Sequence, residues 1–331
     1  MWVRVLGAVA LLLFTGLAEA GEFSPPTSGF VTSADGTRIN YVDWGGSGPA
    51  IVMIHGLGDD PYVFSAIAEH LRGQFHIVAY ARRGHGHSDA PLDRKYDLPT
   101  YVADMRAVFD QLHFAHASLV GWSMGGNEIT GFAVKYPRRV DKLIYLESGY
   151  DWSDANLSNR FAVIAPKKTD LSSFGAYEKW WLRVWYGAGK EWVPAIAPYL
   201  NDTARIAPDG SVTVVPTDAV MDKIMHGLAA PRDYTRIKAP VMAIYADRFF
   251  PDIPGDAAYN KDNAAFEKGF DAFRLKSIAR IEHDIPNASI CRLADRTHMS
   301  IGFEHNAWLA KAMAAFLEAP KNAAFDCHGM H

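Results

Sequence analysis

The sequence predicts an α/β fold: a mostly parallel sheet flanked by helices, with an inserted helical segment. Three observations carry that prediction. Short apolar runs of strand length alternate with amphipathic runs of helical period, the pattern of a sheet covered on both faces. The strand-like runs are continuously apolar, as in strands buried on both sides, and do not alternate with polar residues. The alternation stops after Leu146 and resumes at Pro240, so a segment of different character interrupts the sheet pattern.

Taken in order, Gly29 to Trp44 reads as a hairpin. Phe30-Val31-Thr32 and Ile39-Asn40-Tyr41-Val42 are strand-like, and Asp35-Gly36 supplies the turn. Ala50 to Ile54 is an apolar strand that ends at His55-Gly56-Leu57-Gly58. Pro61 to Leu71 is an amphipathic helix and His76 to Tyr80 a second buried strand. Arg82 to Asp89 is a polar loop punctuated by glycine, and Thr100 to Leu112 is helical, with Val102, Met105, Val108, Phe109 and Leu112 on one face. Ala117 to Val120 is a strand, Asn127 to Tyr136 a helix and Lys142 to Leu146 a strand. Residues 148–231 are expected to form a helical lid, rich in aromatics: Trp152, Trp180, Trp181, Trp185, Tyr186 and Trp192. Most of these should be core, with a minority facing a pocket. Pro240 to Tyr245, Phe266 to Ile281, Ala288 to Leu293 and Asn306 to Leu317 complete the pattern as strand, helix, strand and helix. The core domain is therefore expected to comprise 21–147 and 232–331.

Residues 1–20 read as a signal peptide, with Arg4, an apolar stretch from Val5 to Phe14, and Ala18-Glu19-Ala20 before the cleavage point. The apolar stretch is short for a membrane span. The expected mature chain is exported, to the periplasm or the medium, with no further membrane span. An oxidising compartment permits a disulfide between Cys291 and Cys327, which would staple the C-terminal tail to the body. No HExxH or CxxC occurs, so no metal site is expected. The formal net charge of -4 over 331 residues, without a basic block, excludes an electrostatic case for nucleic acid.

Gly121-Trp122-Ser123-Met124-Gly125 sits where the strand from Ala117 gives way to the helix from Asn127. A serine on so sharp a strand-to-helix turn is presented at the end of the strand, and the glycines let strand and helix approach closely. Ser123 is thus the candidate nucleophile.

The order of motifs resembles the lid-bearing α/β-hydrolase superfamily over roughly Gly29 to Leu317: His55-Gly56, then Arg83-Gly84-His85-Gly86-His87-Ser88, then the Gly121–Gly125 turn. A histidine after the last strand, His298 in Arg296-Thr297-His298-Met299, falls where that family carries its base. Among thirteen histidines, His298 is the candidate and His305 its rival. The resemblance gives His55, His85 and His87 supporting roles. It implies an oxyanion hole made by the backbone N–H groups of Leu57 and Met124, in a serine hydrolase that needs no cofactor and takes a small ester-like substrate.

The acid departs from the family pattern. The usual Asp lies three residues beyond a small residue ending the seventh strand, and here that position is Phe249. Glu147, after the sixth strand, matches the placement in some dehalogenases of this fold and is the first candidate. Asp247 is the second, and Asp252 remains open. The expected activity is hydrolysis of carboxylic esters or lactones. The same triad could hydrolyse amides or C–C bonds, or make peracids. A third reading is a ligand-binding member that has lost its chemistry. Haloalkane dehalogenase and epoxide hydrolase chemistry need Asp where Ser123 stands.

Overall fold

The computed structural model describes residues 24–150, 165–187, 196–227, 232–304, 306–320 and 325. The expected signal peptide and Cys327, the expected partner of Cys291, lie outside the described residues.

The N-terminal hairpin forms from β1 (Thr27–Thr32) and β2 (Arg38–Gly45), antiparallel. The chain then builds β3 (Ala50–Ile54), a single 3-10 turn (Pro61–Phe64) leading into α1 (Ser65–Leu71), β4 (His76–Tyr80), α2 (Leu98–Gln111), β5 (Ala117–Trp122), α3 (Gly125–Lys135) and β6 (Val140–Leu146). The Asp60 side chain caps the 3-10 turn at the N–H of Tyr62, and Asp97 caps α2 at the N–H of Thr100.

The described part of 148–231 holds α4 (Phe174–Trp181) running into a π-helical turn (Leu182–Gly187), then α5 (Ile196–Asp202), β7 (Ala204–Ile206), β8 (Val212–Val214) and α6 (Asp218–Gly227). The segment is thus not wholly helical: β7 and β8 form a separate antiparallel pair. Their turn is closed by the Asp209 side chain on the N–H of Ser211, with Gly210 at φ +85°. Three-residue strands leave too little period to register in the sequence. Trp180 and Trp181 are buried, as expected of core aromatics; Trp152 and Trp192 lie outside the described residues.

The sheet resumes with β9 (Val241–Arg248) and β10 (Ser289–Thr297), joined by α7 (Ala257–Asp284), and the chain closes with α8 (Ser300–Phe303) and α9 (Asn306–Glu318). α7 extends nine residues ahead of the expected start at Phe266, because its first turns are polar (Asn260, Lys261, Asp262, Asn263) and show no apolar stripe. The Asp256 side chain caps it at the N–H of Tyr259.

The eight strands run in the order β1-β2-β4-β3-β5-β6-β9-β10, parallel from β4 onward, with β2 antiparallel to β4. Every residue of β5 is buried, and β3 and β6 are buried nearly throughout, which is why those strands read as unbroken apolar runs. Chain order reverses across β4-β3-β5, and in open α/β sheets the carboxyl ends of the strands at such a reversal are where binding sites are built. Among the described residues, no helix is long and apolar enough to cross a membrane.

Candidate active site

The loops at that carboxyl edge carry the chemistry. Ser123 follows β5 with φ +51°, a left-handed conformation that a residue with a side chain adopts only when its surroundings impose it. Here two backbone bonds impose it. The N–H of Ser123 donates to Leu146 O at 3.0 Å, and its carbonyl accepts from the N–H of Gly126 at 3.1 Å. The neighbouring glycines have no space for a side chain. A Cβ on Gly121 would lie 2.7 Å from the backbone of Gly125, and one on Gly125 would overlap the carbonyl of Ile54.

Glu147 stands at the end of the adjacent strand β6, also left-handed, at φ +48°. Its N–H donates to Ile244 O at 2.8 Å. Its fully buried carboxylate is held at both oxygens: Oε1 accepts from the N–H of Ala246 at 2.6 Å and from the Tyr150 hydroxyl at 3.3 Å, and Oε2 lies 2.9 Å from His298 Nδ1. Burial, and then the Glu147 charge, push the Tyr150 hydroxyl well above its ordinary value, so it keeps the proton that it donates. A carboxylate facing Nδ1 sets the tautomer: Nδ1 carries the proton and Nε2 is left basic.

Of the three candidate acids, only Glu147 meets the imidazole. Asp247 Oδ2 instead accepts from the N–H of Asp295, binding β9 to the end of β10. Asp252 pairs with Arg248 at 2.7 Å. Phe249, at the position where the family pattern carries its acid, stacks face to face on the His298 ring, with centroids 4.1 Å apart and planes at 16°. The N–H of His298 donates to Phe249 O at 3.2 Å, and the ring edge of Trp122 completes the cage at 6.4 Å. His305 lies outside the described residues.

The loop after β3 brings Gly56 against the elbow: a Cβ on Gly56 would lie 3.0 Å from Ser123 Cβ. Among the described residues, the N–H groups of Leu57 and Met124 have no internal partner, which leaves both donors available. A buried polar network holds this loop. His55 Nδ1 donates to Gly56 O at 2.7 Å, and its Nε2 accepts from the N–H of Arg82 at 3.0 Å. The Arg82 guanidinium donates to His55 O at 2.7 Å and Gly56 O at 3.0 Å, and is itself paired with the buried Glu128. His85 Nε2 accepts from the N–H of Gly58 at 3.2 Å. Burial lowers the pKa of His55 and His85 well below the usual imidazole range, so both stay neutral, as these acceptor roles require. His87 faces outward onto Asp202 of α5, at 3.0 Å. Among the described residues, no three His, Cys, Asp or Glu side chains converge as metal ligands.

Four residues escape sequence reasoning. Arg82 and Glu128 sit in a loop and a helix with no motif linking them. Phe249 is legible only as a missing acid. Asp59 directly follows the glycine loop, yet its contact with Tyr199 spans 140 positions of sequence.

The comparisons with known proteins fit this geometry. The sequence model of a family described as alpha/beta hydrolase fold matches residues 49–169, a stretch that includes the elbow and Glu147. An uncharacterized protein of Mycobacterium tuberculosis is 34% identical over 148 residues, 45% of this chain and 42% of its own. A bifunctional esterase/perhydrolase of Acinetobacter calcoaceticus is 38% identical over 112 residues, 33% of this chain and 40% of its own. The matches span half or less of these curated relatives' lengths. The crystal structure of E-2-(acetamidomethylene)succinate hydrolase superposes with a TM-score of 0.70 over 89% of this chain and 100% of its own, at 21% identity, a likeness of fold.

Proposed function

We propose that the chain, whose residues 49–169 match the alpha/beta hydrolase fold family and whose fold is alike, hydrolyses carboxylic esters or lactones through an acyl-enzyme on Ser123. The observation that carries this reading is the buried Glu147 carboxylate on Nδ1 of His298, at the same sheet edge as a serine held in left-handed geometry. In this reading His298 Nε2 takes the proton of Ser123 Oγ as the hydroxyl attacks the ester carbonyl. The oxyanion that forms is met by the N–H groups of Leu57 and Met124, a kind of donor that contributes roughly a hundredfold or more in rate each. His298 then protonates the leaving alcohol, and a water deprotonated by the same ring releases the acid. Glu147 holds the tautomer and stabilises the imidazolium while it lasts.

Residues 148–231 serve in this account as a lid, whose described part reaches the site through Tyr199 and through Trp181, packed on Phe303 of α8. The chain is exported by residues 1–20, and Cys291 pairs with Cys327. N-terminal sequencing of the secreted protein and a non-reducing peptide map test these two points.

The test of the function is a fluorophosphonate probe followed by a panel of p-nitrophenyl esters, lactones and aryl amides. Labelling of wild type but not of Ser123→Ala, with turnover of one ester length, is the expected result. No labelling supports the ligand-binding reading instead. The esterase/perhydrolase relative favours one second reading: the same acyl-enzyme giving its acyl group to hydrogen peroxide in place of water. Peracid formation in the presence of peroxide and a short carboxylic acid tests it.

A further inference from the structure

The loop that carries Leu57, one of the two proposed oxyanion donors, ends in a carboxyl group that this mechanism leaves unused. Asp59 is buried, only 6% exposed, in a site where an isolated charge is costly. A side-chain carbon on Gly56 would overlap Asp59 Oδ2 and lie 3.0 Å from Ser123 Cβ, so the carboxyl and the elbow crowd the same point. The carboxyl thus packs against the backbone of Gly56, and the Tyr199 hydroxyl donates to Oδ1 at 2.7 Å. Tyr199 belongs to α5, inside residues 148–231, and its ring packs on Phe303 at 5.8 Å and on Trp181 at 5.2 Å.

We infer that Asp59 is a positioning residue of the reaction: its carboxyl, packed against Gly56 in the loop that carries the N–H of Leu57, ties that loop to Tyr199 of the inserted segment. The inference rests on the serine-hydrolase reading above. The Tyr199 hydroxyl is a donor, and an ionised carboxyl accepts such a bond more strongly than a protonated one. The groups that face Asp59 are Tyr199 and Tyr177 from the insert, Asp60 from its own loop, Arg82 from the loop after β4, and His298. His298 faces Glu147 on its other side, with Tyr150 and Arg274 behind that carboxylate. Burial pushes the Asp59 carboxyl up, while Tyr199, His298 and Arg82 pull it back toward ionisation. The consequence is that the position of α5 is read directly by the oxyanion loop. An insert that moves away from the sheet takes with it the donor of this tether.

The experiment compares wild type, Asp59→Asn and Tyr199→Phe by fluorophosphonate labelling rate, by kcat and KM on a p-nitrophenyl ester and by Tm. Asp59→Asn should lower kcat roughly ten- to a hundredfold with KM little changed. Tyr199→Phe should slow labelling several-fold. A group that only stabilises the fold would lower Tm and leave labelling and kcat per folded molecule at wild-type values. Asp59→Asn with wild-type labelling and wild-type kcat per folded molecule overturns the inference and leaves the serine reading standing. A wild-type protein that takes no label overturns the serine reading itself. If Asp59→Asn does not fold, Tyr199→Phe decides alone: unchanged labelling contradicts the tether.

Discussion

Glu147 Oε2 lies 2.9 Å from His298 Nδ1, across 151 positions of sequence. The two residues come from the ends of β6 and β10, which flank β9 on either side. The carboxylate therefore reaches the ring over the end of the strand that carries the acid in the family pattern. Replacing Glu147 by Gln keeps the shape and removes the charge that holds the tautomer. In the account above, kcat on a p-nitrophenyl ester falls by about a thousand- to ten-thousandfold, the scale seen when an amide replaces the acid of such a triad. Asp247→Asn, which disturbs only the bond to the N–H of Asp295, leaves kcat within a few-fold of wild type. The reverse ranking contradicts the assignment.

Phe249 explains why the acid cannot simply be moved back. Its ring lies on the face of the imidazole, with planes at 16°, while a hydrogen bond to Nδ1–H must lie near the ring plane. Adding Phe249→Asp to Glu147→Gln should therefore not restore kcat. Recovery of a tenth of wild-type activity would show that position 249 can still reach the ring. Phe249→Ala alone should cost about 3–5 kcal/mol of stability by denaturant unfolding, as for other large buried aromatics, because Phe249 also packs on Phe250, Phe266 and Phe270.

The Arg82–Glu128 pair supports the His55-Gly56 loop from beneath, with both side chains shut off from solvent. Removing one partner of such a pair leaves an uncompensated buried charge, which costs about 3–5 kcal/mol. Glu128→Ala should lower stability on that scale and reduce kcat as well, since Arg82 also holds the carbonyls of His55 and Gly56. A variant destabilised but fully active per folded molecule would separate the pair from the oxyanion loop.

Much of the fold was legible in the sequence for a plain reason: strands buried on both faces must be apolar throughout, and the ends of β3, β4 and β5 coincide with glycine motifs. The first turns of α7 were not legible, because a polar helix surface has no period to see. The β7–β8 pair was missed because three residues are too few for a pattern. At the site, Ser123 stood out through its local motif and His298 through its place after the last strand, and the resemblance to some dehalogenases of this fold ranked Glu147 above Asp247. Asp59 did not stand out, because its role depends on Tyr199, which no local pattern links to it.

Asp35, in the β1–β2 turn, accepts a charged bond from Arg83 at 2.8 Å. Burial alone would raise its carboxyl, yet the Arg83 and Thr37 bonds outweigh that and hold it at about 2, below the 3.8 of a free Asp. A depressed carboxyl stabilises the fold above its unfolded value, and that contribution is lost as pH falls from about 4 to about 2. The group is largely exposed, so solvent screening leaves on the order of 1 kcal/mol. Asp35→Asn should flatten the fall of stability with pH in that window, read from urea midpoints, and leave the curve near pH 7 parallel to wild type.

The central claim is a covalent bond between substrate and Ser123. The most direct measurement is an acid quench of the protein with a slowly turned-over p-nitrophenyl ester, followed by intact mass and peptide mapping. The account predicts one acyl adduct per chain on the peptide that holds Ser123, accompanied by a burst of nitrophenol and absent from Ser123→Ala. Ester turnover with no adduct on that peptide, or undiminished turnover by Ser123→Ala, would contradict it.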